Sequence, residues 1–210
     1  LLLPRIRPIG DLDDAVFDAA DGEEAAGEAM SPVAQHFTLI RLVHEWIAAY
    51  PHLPLAETLL RSPAQVQALA RSLASLIDSL DIEEQTPGAL RDAFDIEVAA
   101  HQEAIVSLLG LVHRELPALL HRQDLISRNR HRSLMIRRSA EALLSRRSAD
   151  PVIAAGSTGS IPATRYLLKT IASLPHGAVV LPGLDTSLDD ECWKSVSAQH
   201  PQFAMKQLLA

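Results

Sequence analysis

Apolar residues recur at three- and four-residue spacing through the middle of this chain, and near Asp150 that pattern gives way to short continuous apolar runs. The first pattern predicts helices, the second buried strands. Ser31-Pro32 supplies an N-cap with proline at the first helical position. Val33, Phe37, Ile40, Val43 and Ile47 then mark one face of a helix that ends before Pro51. Ser62-Pro63 opens a second helix with the stripe Val66, Leu69, Leu73, Leu76, Ile77 and Leu80. Thr86-Pro87 opens a short third one to about Phe94. A long helix follows with Ile105, Leu108, Leu109, Val112 and Leu116 on one side, and Pro117 is expected to kink or end it. Ser127 is read as the cap of a fifth, arginine-rich helix to about Ser145.

After Asp150-Pro151 come the run Val152 to Ala155, a glycine-rich turn, a helix from Pro162 to Ser173 and a second run, Ala178 to Leu181. Strand, helix and strand, with both strands apolar throughout, predict a parallel βαβ unit covered on both faces. The opening Leu1 to Ile9, broken by Pro4 and Pro8, reads as one more extended strand joining that sheet. The expected fold is therefore helix-rich α/β: a partial parallel sheet carrying a large all-helical insertion. Its segments are a strand at 1–10, an acidic flexible loop at 11–30, a helical subdomain at 31–149 and a βαβ portion at 150–210.

Composition adds the setting. Apolar residues make up 48% of 210 residues, enough for a core, while aromatics are scarce at 4%, which favours helices packed through aliphatic side chains. The lone cysteine, Cys192, cannot form an internal disulfide and fits a reducing cytosol. No apolar run approaches the ~20 residues of a bilayer span, so the expectation is a cytoplasmic chain without a membrane partner. Leu1 is no initiator, and the last residues read as a helix running on, so the chain is expected to be a piece of a longer protein.

The net charge of −7 is unevenly spread. Residues 1–30 carry eight acids against Arg5 and Arg7, and residues 121–147 carry eight arginines against Asp124 and Glu141. On the fifth helix Arg128, Arg130, Arg132, Arg137 and Arg138 are the candidate nucleic-acid contacts, because guanidinium groups in a stripe neutralise phosphates. Interleaved aromatics are missing, so base stacking is not suggested; a solvated face, or pairing with the acidic loop or another subunit, competes with DNA.

The turn Ser157, Thr158, Gly159, Ser160, preceded by Gly156, lies where backbone N–H groups bind phosphate. A phosphate-loop lysine is absent, and the simpler account has Ser160 capping the next helix with Pro162 in its first turn. The same stretch approximates a nucleophile elbow, with Ser157, Asp185 and His200 in hydrolase order, but its helix starts too late behind the serine. A small α/β hydrolase or phosphate-ester enzyme is thus the competing functional class. His44-Glu45 lacks the second histidine of a zinc motif, since Ala48 stands there, and Asp189-Asp190-Glu191 suits a helix start better than a metal. No metal and no cofactor are expected.

From Pro151 the chain reads PVIAAGSTGSIPATRYLLKTIASLPHGAVVLPGLDTSLDDECW, then HPQFAMKQLLA from His200, and it opens with LLLPRIRPIGDLDD. These stretches, about a third of the chain, resemble the AddB subunits of alphaproteobacterial AddAB helicase–nucleases. The resemblance is specific at the two ends and loose between them. It implies a superfamily 1 helicase-like region with a RecA-like sheet interrupted by a helical, 1B-like subdomain. It also implies degeneracy, because the strand end that holds an Asp-Glu pair in active helicases falls at Ala155 and Gly156. Pro182-Gly183-Leu184-Asp185 likewise departs from the family's glutamine-bearing sensor. The implied role is a non-catalytic scaffold beside an AddA-type motor subunit, touching single-stranded or tailed duplex DNA during double-strand-break repair.

Overall fold

The computed structural model describes residues 6–9, 27–86, 100–146 and 150–210. The chain divides into two compact units, residues 25–131 and residues 1–24 with 132–210. The broad expectation of a helix-rich α/β chain with small parallel sheets holds. The division between the units falls within the arginine-rich helix, at Arg132.

The helical unit contains β1 (Glu28–Ala29), α1 (Pro32–Ala49), α2 (Pro54–Leu60), α3 (Pro63–Ile82), α4 (Ala100–Arg122) and β2 (Leu125–Ile126), and α5 (Arg128–Arg146) begins in it. α1 starts where the Ser-Pro pair places it, with Ser31 Oγ accepting from the Ala34 N–H at 3.2 Å. Its buried face is another matter. Leu39, Leu42, Val43, Trp46 and Ile47 are buried, whereas Val33 and Phe37, expected in the core stripe, are each 65% exposed.

The reason lies in Trp46. Both sides of α1 offer apolar residues, but only one offers the indole, whose burial removes the largest area from water. Trp46 is completely buried, and its Nε1 donates to Ser107 Oγ on α4 at 2.9 Å. Around it Val66, Ala70 and Leu73 of α3 and Ala104, Leu108, Val112 and Leu116 of α4 complete one core. α2 was not foreseen; it starts at Leu53-Pro54 without a side-chain cap and buries Ala56 and Leu59.

α4 does not end at Pro117 but runs on to Arg122. Its Glu103–Arg122 stretch is long and apolar enough to cross a membrane by length and composition, contrary to the expectation of no such run. Here Ala104, Leu108, Val112 and Leu116 belong to the core of the helical unit, while most of the stretch is not buried. β1 pairs in parallel with β2, Glu28 opposite Leu125 and Ala29 opposite Ile126. The end of the acidic stretch is thus a short strand with Met30 buried, not a flexible loop. The rest of that stretch, residues 10–26, and the helix expected from Pro87 to Phe94 lie outside the described residues.

The α/β unit contains β3 (Val152–Ala155), α6 (Pro162–Ser173), β4 (Gly177–Val180), α7 (Asp190–Ser195) and α8 (Phe203–Leu209). β3 and β4 pair in parallel, Val152 opposite Gly177 through Ala155 opposite Val180. Leu167, Leu168 and Ile171 of α6, Leu208 of α8, and Ile136 and Ala140 of α5 pack with Ala154 in the core. Gly177 passes so close to the end of α6 that a Cβ there would lie 1.7 Å from the Ile171 carbonyl oxygen.

The strands are not buried on both faces as expected. Exposure alternates, leaving Ile153 66% and Val180 56% exposed on the face away from the core. Of the expected first strand, residues 1–5 lie outside the described residues; Ile6 to Ile9 form no strand, and Ile9 packs against the core.

Three substitutions probe this packing. Trp46→Ala should cost about 3–5 kcal/mol in denaturant unfolding followed by circular dichroism, while Phe37→Ser should change stability by less than about 0.5 kcal/mol. Gly177→Ala should cost about 3 kcal/mol, seen as faster amide exchange through Val152–Val180; unchanged exchange would refute the backbone contact.

Candidate functional site

The arginines of α5 separate by environment. Arg128, Arg130 and Arg132 are exposed, whereas Arg137 and Arg138 are half-buried. Arg128 and Arg132 stand four residues apart and so share one helix face. The Arg137 guanidinium lies over the Tyr166 ring of α6, 5.0 Å from its centroid. That cation–π contact gives Arg137 a packing role inside the α/β unit.

At the end of β3, Ala155 is exposed and the Gly156 N–H donates to the Val180 carbonyl at 3.1 Å. Neither residue has a side chain able to hold a metal or accept a proton. In the turn that follows, Ser157 Oγ accepts from the Gly159 N–H at 3.3 Å. Ser160 does not cap α6, contrary to expectation. The N-cap residue is Ile161, without a side-chain hydrogen bond, and Pro162 occupies the first turn.

What shapes the turn is Arg165, whose guanidinium donates to the Gly159 and Ser160 carbonyls at 3.2 and 3.3 Å and to Gln207 Oε1 of α8. This clamp from α6 serves carbonyls of the turn, whereas the first N–H groups of α6 receive no side-chain acceptor from the N-cap residue.

Of the residues in hydrolase order, Asp185 and His200 lie near enough for His200 to help lower the Asp185 pKa, while Ser157 hydrogen-bonds within its own turn. Asp185 Oδ1 accepts from the N–H and hydroxyl of Ser187, which hold its carboxyl below the usual range. His200 Nδ1 accepts from the Gln202 N–H. Among the described residues no hydrogen bond joins Ser157, Asp185 and His200. Asp189 caps α7 by accepting from the Cys192 N–H at 2.7 Å, the structural role expected for that acidic run. Among the described residues no group of three or more His, Cys, Asp or Glu side chains could hold a metal ion.

Sequence reasoning missed a cavity of about 450 Å³ in the helical unit, framed by α3, α4, β2 and the start of α5. Ile77, Val112, Leu116, Leu120 and Leu125 form its apolar wall, and Asp81, Ser127 and Arg130 face it. Gln85, Thr86, His121 and Asp124 form an exposed rim. Pro117 also lines it; lacking an N–H, it withholds from the His113 carbonyl its usual helical donor.

Ser127, expected as the side-chain cap of α5, lines this cavity, but its hydroxyl is buried and makes no cap. Its carbonyl accepts from the His131 N–H at 2.8 Å, but its Oγ has no partner although the residue is only 8% exposed. Asp81 Oδ2 is likewise buried and unpartnered. The two groups are close enough for the hydroxyl to lower the Asp81 pKa, yet outside hydrogen-bonding geometry.

Burial pushes the Asp81 carboxyl above its ordinary 3.8; Ser127 and Arg130 oppose the rise and Asp78 adds to it. No spacing rule could have found this pair, since Asp81 and Ser127 come from distant parts of the chain.

Comparison of the chain with protein-family models, curated proteins and solved structures returns no significant match.

The raised Asp81 pKa has a direct consequence for stability. A carboxyl that binds its proton more tightly in the folded chain contributes fully below 3.8, and that contribution is lost as pH rises through the folded value. Asp81→Asn should therefore flatten the decline in melting temperature between pH 4 and 7, on the order of the ordinary carboxyl range, and raise it at neutral pH. A parallel decline in both proteins would contradict the assignment.

Proposed function

We propose that this chain is a non-catalytic scaffold and DNA-interaction region of a helicase–nuclease subunit of the AddB type. Its βαβ unit would be part of a degenerate RecA-like sheet and its helical unit a 1B-like subdomain. The parent complex would process double-strand breaks for recombination in the cytoplasm, with an AddA-type motor subunit as partner.

The observation that carries this proposal is the incomplete sheet. Parallel strands are almost always covered on both faces, yet β3 and β4 present Ile153 and Val180 on an open apolar face. That is how a portion of a larger doubly covered sheet would look. Ala155 and Gly156 at the strand end supply no catalytic group, in keeping with a scaffold. The alternative hydrolase has His200 near enough to Asp185 to help lower its pKa, but Ser157 is hydrogen-bonded within its own turn and to neither of them.

Arg128 and Arg132 are the preferred DNA contacts, because they are exposed on one face of α5 while Arg137 packs on Tyr166. Fluorescence anisotropy with single-stranded and tailed duplex DNA across a salt series tests the assignment. Binding should weaken steeply with salt, and Arg128→Ala/Arg132→Ala should reduce the slope of log K against log salt by about 2. Arg137→Ala/Arg138→Ala should act mainly on stability. Absence of binding at low salt would reject DNA contact and leave α5 as a protein-facing helix.

A further inference from the structure

We draw no further inference here: the strongest candidate, the apolar flank of α4 that exposes Ile105 and Val106 in the helical unit, carries nothing, because nothing in the structure shows what covers it.

Discussion

The indole of Trp46 sets the arrangement of the helical unit. A tryptophan with no exposed surface must lose a large apolar area from water and still find a partner for its N–H. Ser107 provides that partner, and its own hydroxyl donates onward to the Ala104 carbonyl at 3.0 Å. The two bonds fix which turn of α4 lies against which turn of α1. Leu39, Leu42 and Val43 follow Trp46 inward, and Val66 and Leu73 of α3 close over them. Val33 and Phe37 are left outside because a helix cannot turn both of its apolar faces toward one core.

This explains why helix positions were more legible in the sequence than helix faces. Ser31-Pro32, Ser62-Pro63 and Pro162 mark starts through a local constraint, the fixed φ of proline and its missing N–H, and each coincides with an observed helix start. The face of α1 depends on a hydrogen bond to a residue 61 positions away, which no local period encodes. α2 went unseen because it spans only seven residues and begins without a serine or threonine cap. The βαβ register was legible in its order but not in its burial, since continuous apolar runs do not reveal that one side of the sheet stays open.

The candidate sites show the same limit. Arginine density pointed to α5, but sequence could not separate a guanidinium resting on Tyr166 from those facing solvent. Ser127 invited assignment as a helix cap from its neighbours alone. The structure instead gives it a buried hydroxyl beside a carboxyl contributed by α3. That position trades a local capping bond for a buried place beside Asp81, whose pKa it helps to hold down.

Arg165 has a further consequence for the α/β unit. One guanidinium holds two carbonyls of the strand–helix turn and the side chain of Gln207, while Leu208 lies against Gly159 from the same direction. The last helix is therefore the outer jaw of a vise whose inner jaw is α6, and the turn is the workpiece. Loosening the outer jaw would leave Arg165 on the two carbonyls but take away its anchor on Gln207 and the Leu208 surface beside Gly159, so the seating of α8 sets how firmly the end of β3 is held without touching the pairing of the sheet.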